Sequence, residues 1–204
     1  MHWDGPGIDA WHAWSPQQAA VRLAGCGAHW CVVGGWAIDL FLGRQTRKHD
    51  DLEIAIPRDD FARVGAALRG YQLHAVGSGE VHALADDEMP PQDKHQTWVL
   101  DPTTQHWRID VMLEPGDAQT WVFRRDESIR APRASIVGLR DGVPYLKPEA
   151  ALLFKAPTKT KSARPKDEAD FNVCAPALDA SARNWLRAAL HRVHPQHSWI
   201  DRLG

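Results

Sequence analysis

Apolar residues first recur at helical spacing over 16–28 (PQQAAVRLAGCGA), with Pro16 suited to a first turn and Gly27 to the end. The pattern then contracts to a compact apolar run, HWCVV at 29–33, which reads as a strand stopped by Gly34 and Gly35. WAIDLFLG returns to helical spacing, with Trp36, Leu40 and Phe41 on one face and Gly43 as terminator. Residues 51–56, DLEIAI, alternate as a strand does. Leu52, Ile54 and Ile56 share one face, Asp51, Glu53 and Ala55 the other, and Pro57 ends the run. Asp59 or Asp60 is placed to cap a helix over DFARVGAALRG that closes at Gly70.

Residues 71–113 carry four runs with strand character, YQLHAV, EVHALA, HQTWVLD and HWRIDVML, separated by DDEMPPQDK and the turn DPTTQ. Shorter runs at TWVF and ASIVGL are predicted to extend the same sheet. From Lys147 onward the period becomes helical in KPEAALLFKA, DEADFNVCAPAL and DASARNWLRAALHRV, with the loop PTKTKSARPK between the first two. The predicted fold class is α+β: a mixed-sheet domain over 1–145, then a small helical lobe over 146–204.

Composition narrows the picture. The hydrophobic share of 44% and charged share of 25% suit one good core. A formal charge of −2 gives no basic excess, so no nucleic-acid partner is expected and any attraction for phosphate must be local. Cys26, Cys31 and Cys174 have neither disulfide nor metal spacing, which predicts reduced thiols and a cytoplasmic protein. The first residues lack a signal-like apolar core, and Asp39 interrupts the longest apolar run, so no membrane span is expected. Ten tryptophans predict core and seam packing, with a minority free to wall a ligand site.

The chemistry concentrates in GGWAIDLFLGRQTRKHDDLEIAI, residues 34–56. On an extended strand Asp51 and Glu53 point the same way, roughly 6.5–7 Å apart. Paired carboxylates there suit a hard divalent cation, Mg²⁺ above all, while ion pairs with Arg44, Arg47 or Lys48 are the plainer alternative. WRIDVML places Asp110 in a second acidic strand. If the two strands are neighbours, three carboxylates converge, enough for two ions about 3.5–4 Å apart. Gly34 and Gly35, between strand and helix, let a phosphate approach backbone N–H groups. His82, His95 and His106 lack zinc-site spacing.

Glycine pair, short helix and alternating acids, with a third acid on a later strand, resemble the nucleotidyltransferase superfamily of polymerase-β-like fold. The segment is closer still to the aminoglycoside 2''-nucleotidyltransferases and lincosamide nucleotidyltransferases, whose pattern is similar to GGWAIDxxLGRxTRKHDDhDh. The resemblance implies an adenylyltransferase-type enzyme that moves a nucleoside monophosphate from a nucleoside triphosphate to a small-molecule hydroxyl, using Mg²⁺, two ions in the fullest form. It makes Asp51, Glu53 and Asp110 metal ligands and catalytic acids, with Asp110 a ligand, a general base or both. Gly34, Gly35, Arg44 and Arg47 become nucleotide-binding. Lys155 and Lys166, in a basic stretch with Lys159, Lys161 and Arg164, become phosphate contacts. His95, Trp98 or Arg125 would line the acceptor pocket, and Asp86, Asp87 and Glu88 could meet a cationic acceptor. Asp39 is expected to pair with an arginine. Asp167 and Asp170 are expected as helix-start acids, with Asp167 in reach of Lys155. A monomer or homodimer is expected. The relatives carry aspartate where this chain has Glu53, which leaves open a silent nucleotide- or partner-binding protein, as well as an antitoxin-type enzyme that modifies protein.

Overall fold

The computed structural model describes residues 5–157 and 164–204, so Lys159 and Lys161 lie outside it. Ten strands are described: β1 (Cys31–Val32), β2 (Glu53–Pro57), β3 (Gln72–Gly77), β4 (Glu80–Ala83), β5 (Gln96–Asp101), β6 (His106–Glu114), β7 (Thr120–Val122), β8 (Arg130–Pro132), β9 (Val137–Arg140) and β10 (Val143–Leu146). The helices are α1 (Pro16–Arg22), α2 (Gly34–Leu42), α3 (Phe61–Ala67), α4 (Arg133–Ile136), α5 (Pro148–Lys155), α6 (Pro165–Cys174), α7 (Ala180–Val193) and α8 (Trp199–Arg202). Eight strands form one sheet in the order β4-β3-β5-β6-β2-β1-β10-β9. Its β2–β6 and β1–β10 pairs are parallel and the others antiparallel, as the α+β prediction requires.

The alternating pattern of residues 51–56 explains why β2 sits mid-sheet. Leu52, Ile54 and Ile56 are fully buried, packed in one core with Ile38, Val99, Ile109 and Val111. Trp107, Trp121 and Trp199 are completely buried, which bears out tryptophan as a packing residue. Trp98 meets Trp11 and Trp107 edge-on, with centroids 5.3 and 5.2 Å away.

Several predicted boundaries move. β2 begins at Glu53, so Asp51 stands in the segment leading into the strand and not in its ladder. β1 is two residues long and α1 stops at Arg22. The TWVF run does not extend the main sheet; β7 pairs with β8 in a separate two-stranded sheet. ASIVGL divides into α4 and edge strand β9. Asp60 makes no cap bond to α3. It accepts from the backbone N–H of His29 at 2.8 Å and pairs with Arg63.

α2 ends as its sequence predicts, with Gly43 in the left-handed region at φ 70°. Helices α5 to α8 follow β10, and α5 and α6 pack against α2. None of the helices among the described residues is long and apolar enough to cross a membrane.

Candidate active site

The parallel β2–β6 ladder places Glu53 directly beside Asp110, and the backbone N–H of Asp110 donates to the Leu52 carbonyl at 2.8 Å. Across the next pair Trp98 stands opposite Asp110, so Trp98, Asp110 and Glu53 form a row over three strands. Asp110 is only 4% exposed. Its Oδ2 accepts from the Gln96 amide at 2.8 Å, and the Trp98 indole N–H acts on the same carboxyl group, both favouring its charged form. Burial raises Asp110 well above the ordinary carboxylate range, and the neighbouring Glu53 raises it further. Burial and then Asp51 raise Glu53, opposed by Lys155, Lys166 and Arg164.

Such a pair is unfavourable as it stands: two carboxylates share a poorly solvated place. A hard cation with oxygen ligands would offset that penalty, so the donor set fits Mg²⁺ in kind. Among the described residues no group of three His, Cys, Asp or Glu side chains is already gathered to hold an ion, so closing on a metal requires side-chain rearrangement.

α2 starts at Gly34, and Val33 at its N-cap makes no side-chain cap bond. The first N–H groups of the helix therefore lack that partner. Gly34 has φ +67°, and a methyl group there would overlap the Glu53 carboxylate. At Gly35 a methyl group would overlap the Arg47 guanidinium and come within 2.6 Å of the His49 ring. The room beside both glycines is thus filled by the chain's own side chains, and Glu53 lies over the turn where a phosphate was expected.

Asp39 does not pair with an arginine. Its Oδ2 meets His49 Nε2 at 2.6 Å, and its Oδ1 accepts from the Thr46 hydroxyl and N–H at 2.5 and 3.1 Å. Trp36 stacks on His49 with centroids 4.4 Å apart. These contacts fix the 44–49 loop beneath the glycine turn.

Arg47 is held from the other side. Its Nε and Nη2 donate to Asp170 at 3.0 and 3.2 Å, and Nη1 donates to the Lys48 carbonyl at 3.1 Å. Lys155 Nζ lies 2.7 Å from Asp170 and 3.3 Å from Asp167, which also receives Arg164 at 2.6 Å. The expected Lys155–Asp167 pair is present. Asp170 is no helix-start acid: it lies within α6, 1% exposed, bridging two cations. Burial would raise Asp170, but the bonds from Arg47 and Lys155 outweigh it and hold the carboxyl below its ordinary range.

A cavity of about 170 Å³ opens between β2 and α5, lined by Gly34 and Glu53 on one side and by Phe154, Lys155 and Arg164 on the other. Lys166 is exposed but its charge reaches Glu53. Arg44 is exposed and makes no side-chain ion pair among the described residues. Asp86, Asp87 and Glu88 line a different cavity, of about 410 Å³, with Phe61 and Tyr71. The structure therefore gathers Gly34, Glu53, Asp110, Lys155 and the field of Lys166. It leaves Arg44 outside the cavity and ties Arg47 to Asp170.

Sequence reasoning missed Gln96 and the bridging role of Asp170. Gln96 could have been found only by aligning HQTWV antiparallel to WRIDVM. Asp170 carried a weak signal: it lies three residues after Asp167, hence on the same helix face.

Residues 17–85 match a family model described as aminoglycoside-2''-adenylyltransferase. A 2''-aminoglycoside nucleotidyltransferase of Escherichia coli is 36% identical over 59 residues, covering 28% of this chain. One from Klebsiella pneumoniae matches equally. The chain spans about a third (33%) of the length of these relatives. The crystal structure of ANT(2'')-Ia with adenylyl-2''-tobramycin superposes with a TM-score of 0.55 at 16% identity, covering 86% of this chain and 95% of that one. The solution structure of ANT(2'')-Ia gives 0.51 at 18% identity, covering 87% and 90%. The resemblance to the nucleotidyltransferase superfamily therefore holds in sequence over residues 17–85 and in fold over most of the chain, which is similar to the aminoglycoside 2''-nucleotidyltransferases.

Proposed function

We propose that the chain transfers an adenylyl group, or another nucleoside monophosphate, from a nucleoside triphosphate to a hydroxyl of an aminoglycoside. The observation that carries this reading is the ladder neighbourhood of Glu53 and Asp110 beside the start of α2. The names of the matched relatives support the acceptor class. The free thiols suit the cytoplasm, where the nucleotide pool is.

Asp51, Glu53 and Asp110 would hold Mg²⁺, whose contribution is to neutralise triphosphate charge and acidify the acceptor hydroxyl. Asp110, steadied at Oδ2 by Gln96, is the carboxylate proposed to take the hydroxyl proton. The hydroxyl oxygen then bonds to the α-phosphorus, the bond to the β-phosphate breaks, and pyrophosphate leaves. The N–H groups opening α2 at Gly34 and Gly35 would be open to the phosphates if Glu53 withdrew from over Gly34. Arg47, locked to Asp170, fixes the loop, while Arg44, Lys155 and Lys166 supply positive field.

The test is pyrophosphate release from each of the four nucleoside triphosphates with Mg²⁺, against a panel of aminoglycosides and lincosamides. Release that requires an aminoglycoside supports the reading. Nucleotide binding with no release across the panel would overturn it.

A further inference from the structure

After β7 the chain turns tightly. Phe123, fully buried, donates its N–H to Ile129 at 2.9 Å and accepts from Asp126 at 3.0 Å. That turn drives Arg124 and Arg125 into the wall of the Glu53 cavity. Arg125 is partly committed: Nη1 donates to the Ala156 carbonyl at 3.2 Å, and its guanidinium lies 5.6 Å from the Phe154 ring centroid. Arg124 makes no hydrogen bond or ion pair among the described residues.

The surroundings are cationic. Burial lowers Arg125, and Arg124 and Arg164 lower it further, with only Asp167 opposing. Burial alone lowers Arg124, with no carboxylate compensating. His95 feels the same charge: burial lowers it first, then Arg124. Arg124 and Arg125 are exposed on the cavity wall, so their like charges are met by water and stand open to an incoming anion. The other wall carries Glu53, so an anion here would face the acids and not contact them alone.

We propose that Arg124, with Arg125 beside it, is the seat for the β- and γ-phosphates of the nucleotide and for the pyrophosphate that leaves. This rests on the nucleotidyl-transfer reading and reassigns Arg125 from the acceptor to the donor side. A planar fork with five donors suits two phosphate groups, and Arg124 has all of its donors to give. A polycationic acceptor is repelled from this wall, so it approaches Asp110 from elsewhere.

Titration calorimetry with inorganic pyrophosphate, using the full chain with and without Mg²⁺, tests the seat without any turnover. Arg124→Ala is expected to weaken pyrophosphate binding by about tenfold or more, Arg124→Lys by less, and the distant surface change Arg69→Ala not at all. Thermal melts of the variants confirm that each is folded. Wild-type pyrophosphate affinity in folded Arg124→Ala overturns the proposal. Weakened pyrophosphate with unaltered ATP affinity overturns the assignment to the nucleotide's phosphates. Because no acceptor is present, a chain without transferase activity would still give either result, which separates this proposal from the transfer reaction.

Discussion

Two pairs of acids lie close together in this protein and live under opposite conditions. Asp167 and Asp170 on α6 are almost fully buried, yet each is ion-paired, with Arg47, Lys155 and Arg164 as their cations. Glu53 and Asp110 are neighbours across a parallel ladder; burial raises both, Glu53 raises Asp110 further and Asp51 raises Glu53 further. The first pair completes the folded chain. The second is left incomplete by it. On the proposed function the second pair is completed by metal and substrate, and it is the lack of a cationic partner, not burial, that sets it apart from the first.

The sharpest way to break the contrast is to neutralise one member of each pair. Asp110→Asn should lower pyrophosphate release by a hundred- to ten-thousandfold, roughly the range for a lost proton acceptor. Its thermal melt should stay level or rise, because a repelled buried charge has gone. A marked fall in melting temperature would place Asp110 with the structural acids.

Asp170→Asn should do the reverse to stability. It leaves Arg47 and Lys155 facing a neutral amide in a buried place, and urea unfolding should show a loss of about 3–5 kcal/mol. If stability barely moves, the network is surface-like and the contrast fails. Glu53→Asp sharpens the other half. Shortening the side chain by about one C–C bond withdraws the carboxylate from Gly34 and should raise turnover severalfold, since small misplacements at a reacting centre can cost about a hundredfold. A lower rate would show that the glutamate reach is the working one.

The smallest effect is in pH. Asp170 has its folded pKa below its unfolded value, so its stabilisation is complete above about pH 4 and is lost as pH falls through the folded value. Asp110 has the opposite sign: its burial costs stability once pH exceeds its unfolded value, and acid relieves that cost. Wild-type stability measured from pH 7 to 3 should fall more steeply in acid than that of Asp170→Asn.

Much of this was legible in the sequence. The alternation of DLEIAI fixed which side of β2 is apolar, and GGWAIDLFLG announced a glycine-bounded helix, because both are local patterns. What was not legible depends on pairing across distance. Asp51 falls outside the ladder because β2 starts only where Glu53 meets Asp110. TWVF has strand composition, but whether it joined the main sheet or took β8 as partner was a matter of topology. His49 as the partner of Asp39, and Asp170 as the partner of Arg47, could not be ranked above other charges without coordinates. Arg124 stood out only once the structure placed it on the wall of the Glu53 cavity with no ion-pair partner among the described residues.

The bridge from Asp170 to Arg47 also has a direction in time. Synthesis proceeds from the N-terminus, so the glycine turn, its helix and Arg47 leave the ribosome more than a hundred residues before α6 does. During that interval the guanidinium that will press against Gly35 lacks the Asp170 carboxylate that holds it in the folded chain. The acid strands can pair earlier, when β6 emerges, but the loop beneath the turn gains this restraint only once α6 has emerged. A nascent chain halted before Asp170 would carry the acids of the site without the anchor that sets their neighbour in place.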